Sequence, residues 1–195
     1  LPIWDFPCQE VRHDAYILPD VEMEPGKIAL VMIAEAAPSN PADYFYAGEQ
    51  AQFSQTTLLA FKDAGLQVDT VDDLLMNGIY LTTAVKCGKT GYGIQTGTIK
   101  QCSFLLEREL VLFTGVKVIL CMGDVAIKAM NAIAARQGEA RVIPAGSTYK
   151  IRGGDFYYRG CRVFPSYLQA GPSFFIEKSK RRMIAEDIAA ALKIM

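Results

Sequence analysis

Lys27 is followed by Ile28-Ala29-Leu30-Val31-Met32-Ile33-Ala34, an unbroken apolar run closed off by Pro25-Gly26 before it and Pro38 after it. A strand with one wet face alternates polar and apolar residues, whereas an unbroken run means that both faces are covered. Such a strand needs helices on both sides of its sheet. The rest of the chain provides them. Residues 79–85 and 116–122 repeat the apolar run, and Arg162-Val163-Phe164-Pro165 gives a shorter fourth one. Between them lie helical stretches at 56–64, closed by Gly65, and at 71–76, capped by Thr70. Residues 98–113 have apolar positions at 99, 102, 105, 106, 110 and 113, close to the helical period. Further helices are expected from Gly123-Asp124 to about Arg136 and over 177–195. Residues 87–97 carry Gly88, Gly91, Gly93 and Gly97 and read as a loop, and residues 142–165 read as short strands with a hairpin. The alternation predicts a three-layer α/β/α domain with a central, mostly parallel sheet of about four strands. Residues 1–195 are expected to form one domain, with the proline-punctuated 1–26 an N-terminal arm packed on it.

Composition narrows the function. Lys plus Arg total 20 and Asp plus Glu 21, a net charge of −1, so binding to nucleic acid has to come from a local basic patch. Five cysteines at 8, 87, 102, 121 and 161 are odd in number and widely spread, which suits reduced thiols or metal ligands in a cytoplasmic protein. No apolar run reaches the roughly 18 residues of a membrane span, and residues 1–9 lack the basic start of a signal peptide. The only histidine is His13, which excludes any mechanism that needs two.

In open α/β sheets ligands bind beyond the carboxyl ends of the strands. Four segments therefore matter: those after Ala34, Val85, Met122 and Phe164. The first reads Glu35-Ala36-Ala37-Pro38-Ser39-Asn40-Pro41-Ala42-Asp43-Tyr44-Phe45-Tyr46. The second is Thr82-Thr83-Ala84-Val85-Lys86-Cys87 and the third Leu120-Cys121-Met122-Gly123-Asp124-Val125-Ala126. The last runs Tyr158-Arg159-Gly160-Cys161-Arg162-Val163-Phe164-Pro165-Ser166-Tyr167 and continues to Phe174.

These segments, in this order and spacing, resemble the iron–sulfur branch of the uracil-DNA glycosylase superfamily. That branch has Gly-Glu-Ala-Pro-Gly, then Thr-Asn-x-Val-Lys-Cys, then Leu-Gly-x-x-Ala, and closes on Tyr-Arg-Gly-x-x-Val-x-Pro-Thr-Tyr-His-Pro-Ser. The resemblance covers residues from about 8 to 193. It departs at two places. The motif Asn falls on Thr83. The motif His is absent, its place falling near Ala170 or Gly171, or on Phe164 in a second register.

The resemblance implies a DNA repair hydrolase that cleaves the N-glycosidic bond of uracil or another deaminated base. It implies DNA as partner, as a single strand or a flipped base, and the chain is expected to be a monomer away from membranes. The reaction passes through an oxocarbenium-like sugar and an anionic leaving base, which call for a carboxylate near the sugar and donors on the base. Glu35 and Asp43 are the candidate catalytic carboxylates. Asn40, Phe45, Tyr46, Thr83 and Ser173 are candidates for the base pocket, with Phe53 a further candidate ring. Lys86, Lys178, Lys180, Arg181 and Arg182 are candidates for DNA phosphates. The branch also holds a four-iron cluster with four cysteines. Cys8, Cys87 and Cys102 fall on three of those places, while the fourth falls on Val11 or Asp5. The expectation is no cofactor and a colourless protein, with an iron–sulfur cluster left open by an incomplete ligand set.

Loss of the motif Asn and His leaves a second reading open: a weak or inactive member of the same fold that binds nucleic acid. A third, a nucleotide-handling α/β domain, lacks both the Gly-x-Gly-x-x-Gly turn and the Walker loop.

Overall fold

The computed structural model describes residues 6–195. Its centre is a six-stranded sheet in the order β1-β3-β2-β4-β6-β5. The strands are β1 (Val11–Arg12), β2 (Leu30–Ala37), β3 (Ile79–Lys89), β4 (Val118–Met122), β5 (Phe156–Tyr158) and β6 (Cys161–Ser166). The four expected strands are the parallel core, β3-β2-β4-β6, and β1 and β5 add antiparallel edges. The two extra strands are two and three residues long, too short for any alternation to show in the sequence.

Helices cover both faces, giving a three-layer α/β/α fold. They are α1 (Gln52–Asp63), α2 (Val71–Met76), α3 (Thr96–Leu110), α4 (Asp124–Arg136), α5 (Thr148–Ile151), α6 (Ser173–Ile176) and α7 (Lys178–Leu192). Alternate residues of β2 feed two separate apolar clusters. Val31 and Ile33 pack with α3, α4 and the arm, while Leu30, Met32 and Ala34 pack with α1, α2 and α7. All five of those residues are fully buried, as an apolar run with no polar phase requires. Helix α2 begins as the sequence predicts. The Thr70 hydroxyl accepts from the Asp73 amide at 3.1 Å, and the Asp73 carboxylate accepts from the Thr70 amide at 2.8 Å.

Two sequence expectations change. Residues 87–97 do not all form a loop, because β3 runs on to Lys89. Gly88 is not a breaker there but a point of close approach: a Cβ on it would stand 2.7 Å from the Ala15 Cβ and 2.9 Å from the Pro38 carbonyl oxygen. Residues 142–165 hold one helical turn, α5, besides the β5–β6 hairpin. The arm is ordered over its described part. Its β1 pairs Val11 with Lys89 and Arg12 with Gly88, and the Ile17 amide donates to the Lys86 carbonyl at 2.8 Å.

One buried polar network fastens β3 to α3. Lys86 is fully buried and ion-paired with Glu109. Its ammonium also donates to the Thr82 hydroxyl at 2.7 Å, and the Tyr80 and Thr82 hydroxyls both donate to Glu109 Oε1 at 2.7 Å. Burial pushes the Lys86 pKa down, and the facing carboxylate pushes it back up. Breaking such a pair costs more than deleting it, because one charge is left buried alone, at about 3–5 kcal/mol. Glu109→Gln should therefore lower the unfolding free energy by several kcal/mol in urea titration. Lys86→Met with Glu109→Leu should lose clearly less. Equal losses in the single and double variants would mean that the pair is hydrated rather than buried.

Candidate active site

Beyond the carboxyl end of β2 a cleft of about 660 Å³ opens between the first segment, the end of β3 and the loop before α6. Glu35, Asn40, Asp43 and Ser173 line it, as do Phe53, Lys89 and Tyr92. The volume lies within the usual range for a small-molecule site and would hold one nucleotide. Ala170 and Gly171, where the motif His is expected, also line it, whereas Phe164 is buried in the core. The register that places the missing His at Phe164 therefore falls away.

Glu35 is the central polar group. Its side chain is 18% exposed, and its Oε2 stands 4.0 Å from Lys89 Nζ. Burial raises its pKa, while Lys89 and the facing backbone amides of Val125 and Asp124 hold the rise down. Those amides belong to the start of α4, so the carboxylate is anchored at a positive helix end. The approach is possible only because residue 123 is a glycine. Its φ is 99°, and a Cβ there would lie 2.5 Å from Glu35 Oε1.

Asn40 is exposed, and its Oδ1 accepts the Ala42 amide at 3.2 Å, capping the turn Pro41–Asp43 and leaving the amide nitrogen free to face the cleft. Asp43 is half-buried at the wall. Phe53 takes the ring position that the sequence also offered to Phe45 and Tyr46. Phe45 is fully buried behind it, ring centroids 5.4 Å apart. Tyr46 clamps β3 instead: its hydroxyl donates to the Leu81 carbonyl at 2.9 Å and accepts the Leu81 amide at 2.8 Å.

Thr83 pairs in register with Ala34, directly beside Glu35 in the chain, yet it does not line the cleft. It is fully buried, its hydroxyl near that of Tyr44, and neither hydroxyl has a hydrogen-bond partner. Its assignment to a base edge is corrected accordingly: no surface is presented to a base, and Thr83→Asn would enlarge a core residue rather than add a reader. Lys86 is likewise corrected. It is inside the protein with Glu109 and cannot meet a phosphate without unfolding β3.

Of the four cations on α7, Lys180 pairs with Glu177 at 2.5 Å and Arg181 with Asp63 at 2.5 Å. Lys178 and Arg182 are exposed with no carboxylate partner among the described residues. Lys89 is the site residue that the sequence reading missed. Its signal was hidden by the glycines around it, which assigned it to a loop and not to a strand end.

The thiols of Cys8, Cys87 and Cys102 are buried in one apolar cluster, close enough that each of the other two raises the Cys87 pKa, which burial drives up to about 12. Cys121 is locked in β4, and the Cys161 thiol donates to the Val116 carbonyl at 3.2 Å. Val11, one of the two places for a fourth thiol, is buried in β1, and Asp5 lies outside the described residues. Among the described residues no three His, Cys, Asp or Glu side chains gather closely enough for a single metal ion. Three thiols packed in the core are one donor short of the four that an iron–sulfur cluster normally takes, so the residues present do not fit one.

Gly123→Ala should destabilise the fold by about 1–3 kcal/mol, the cost of holding a side chain in a backbone region open essentially to glycine alone (φ 99°, ψ 166°), plus a clash with Glu35. In a Glu35→Ala background the clash is gone and the loss should shrink, as a double-mutant cycle in thermal unfolding would show. Identical losses in both backgrounds would place the carboxylate elsewhere.

Residues 31–188 match the model of the uracil DNA glycosylase superfamily. Over 100 residues the chain is 31% identical to a protein named type-5 uracil-DNA glycosylase from Thermus thermophilus, a stretch that is 51% of this chain and 46% of that one. The chain thus matches about half the length of that curated relative. The family match runs from the second residue of β2 into α7 and takes in every strand end around the cleft, so the chain belongs to the uracil DNA glycosylase superfamily.

Proposed function

We propose that this protein hydrolyses the N-glycosidic bond of uracil or another deaminated base in DNA. The observation that carries the reading is the Glu35–Lys89 pair, 4.0 Å apart, at the floor of a nucleotide-sized cleft on the strand ends. A base stacked inside a duplex cannot enter a cleft between protein loops, so the substrate is a single strand or a nucleotide flipped out of the stack.

In this reading the flipped base stacks on Phe53, and Asn40 and the backbone of 170–173 meet its edges. As the glycosidic bond lengthens, positive charge builds on the sugar and negative charge on the base. Glu35, with Asp43 at the same wall, places a carboxylate against the sugar and holds the attacking water. The leaving base needs a donor where relatives use a histidine. Lys89 is the only cation on the cleft wall among the described residues, and its ammonium donates there. An ammonium is a point charge that any carbonyl or ring nitrogen can accept from, so selectivity for uracil is lower than an amide pair would give.

The iron–sulfur cluster that the resemblance implies would find only Cys8, Cys87 and Cys102 here, one ligand short, and no step of the reaction is assigned to it. The reaction is carried by the cleft residues. We take the protein to be a monomeric single domain, with Lys178 and Arg182 on the DNA phosphates flanking the flipped base.

Incubation with oligonucleotides carrying uracil, hypoxanthine or xanthine tests the reading. Excision should fall as pH drops through a pKa above the ordinary glutamate value of about 4.3, because Glu35 must be ionised and burial favours its neutral form. Glu35→Gln should abolish that limb, and Lys89→Ala should slow excision by about 10²–10³. Binding to every one of these oligonucleotides with no cleavage would favour the second reading, a nucleic-acid-binding member without catalysis.

Removing both Lys178 and Arg182 should reduce the slope of log affinity against log salt by about two, one unit for each lost phosphate contact. Removing Lys180 and Arg181, whose charges are already paired, should change it less. Equal changes would mean that the whole face of α7 meets DNA.

A further inference from the structure

We propose that Tyr92 is a stacking platform for the nucleobase next to the target base, and that this platform makes the protein a reader of single strands. The inference rests on the reading of the cleft as a nucleic-acid site, but not on cleavage there. Tyr92 lines the cleft beside Lys89, Thr90 and Gly91. At 104% exposure it is also the most open large apolar side chain among the described residues. A ring that open packs on nothing in its own chain.

Scattered surface rings need no explanation. What sets this one apart is how it is mounted. Gly91 and Gly93 flank it, and neither serves a turn: their φ values are not positive, and a Cβ on either would meet nothing within 4 Å. Their effect is to free the backbone on both sides of Tyr92, so the ring can tilt to meet a flat partner. The ends of the loop are fixed instead, and by a single residue. The Thr90 hydroxyl donates to the Glu10 carbonyl at 2.6 Å, and the Gln95 amide donates to the Glu10 carboxylate at 3.0 Å. The Thr98 hydroxyl donates to the same carboxylate oxygen. Glu10 thus clasps the base of 91–94 between the end of β3 and the start of α3. The loop's other apolar residue, Ile94, packs against the core cluster. Only the tip is left to move, and the tip is the ring.

The chemistry of the tip selects its partner. The cleft has room for one base, so the next base on the strand has to lie at its rim. Tyr92 offers that base an uncharged π-face and no charged group to read an edge, and such stacking tolerates any base. In a duplex the neighbour stays paired and stacked within the helix. In a single strand it is free to turn onto the ring. The platform therefore adds affinity for single strands without adding sequence preference or a phosphate contact.

The test reads binding of the full chain to a labelled single strand whose central nucleotide is 2′-fluorodeoxyuridine, a sugar that resists glycosidic cleavage. A second strand has abasic neighbours on both sides of that nucleotide, and a third probe is the first strand in a duplex. On the single strand Tyr92→Ala should weaken binding by about 5- to 100-fold, and Tyr92→Phe, which keeps the π-face, should bind as wild type does. With abasic neighbours the wild type should bind as weakly as the variant, and Tyr92→Ala should then cost little more, because the two changes remove one contact. The slope of log affinity against log salt should not change, which separates stacking from a phosphate contact. On the duplex the same substitution should cost clearly less. Undiminished binding of the single strand by Tyr92→Ala overturns the proposal. So does an equal loss with and without the neighbouring bases, or an equal loss on the duplex. Binding that depends on Tyr92, with no excision from a cleavable strand, would count against the proposed reaction and not against this platform. A wild type that binds none of the probes would overturn the cleft as a nucleic-acid site, and the platform with it.

Discussion

The burial of β2 on both faces is the constraint from which the rest of the molecule follows. Its residues from Leu30 to Ala34 are wholly inside, flanked in parallel by β3 and β4. No polar side chain can be placed along that stretch without a buried, unpaired group that costs several kcal/mol. The first position where polarity can return is the carboxyl end, and there the chain puts Glu35. The register slips just beyond it, with Ala36 opposite Val85 and Ala37 opposite Gly88, so Lys86 and Cys87 form a bulge in β3 beside the end of β2. Cleft and core are therefore two consequences of one strand: the apolar phase builds the layers, and its end builds the site.

The same reasoning explains what could be read from the sequence. The central strands were legible because an unbroken apolar run in a chain of this length has few other solutions, and the helices because their period is 3.6. The edge strands β1 and β5 were not legible, since two or three residues carry no period. The segments that carry the cleft's carboxylates, Asn40 and Ser173 were legible from strand-end logic, which depends on position and not on side-chain direction, and the resemblance then singled out those residues. Thr83, Lys86, Phe45 and Tyr46 were misread for the complementary reason. Thr83 and Lys86 lie on β3, where one residue of phase decides whether a side chain meets α3, the Tyr44 ring or the cleft, and the irregular pairing near its end hides that phase. Phe45 and Tyr46 turn inward from the segment after β2, one behind Phe53 and the other onto Leu81.

The buried Lys86 and the half-buried strand end at Lys89 are connected. A lysine in the core is costly unless a carboxylate meets it, and Glu109 does, with two hydroxyls completing the set. That lysine is held in place and is unavailable to DNA. Three residues on, Lys89 lines the cleft, and its one carboxylate partner among the described residues is Glu35 at 4.0 Å, a loose pair. In the proposed reaction such an ammonium would take the place of the missing imidazole at the leaving base.

Lys89 is also where the arm and the cleft meet. Val11 pairs with Lys89 across the β1–β3 edge, and the Ser39 hydroxyl donates to the Lys89 carbonyl. The backbone that aims the ammonium is thus fixed from both sides, by the arm and by the first loop of the cleft. Cys87 is two residues back on the same strand, and Cys8 and His13 flank β1 on the arm. The packed thiols and the 3-10 turn pin the arm, the arm completes the edge of β3, and the edge of β3 holds the cation. A two-residue strand is too short to hold itself in place, so its order depends on what anchors the residues on either side of it, and here those residues are the ones that carry soft donors.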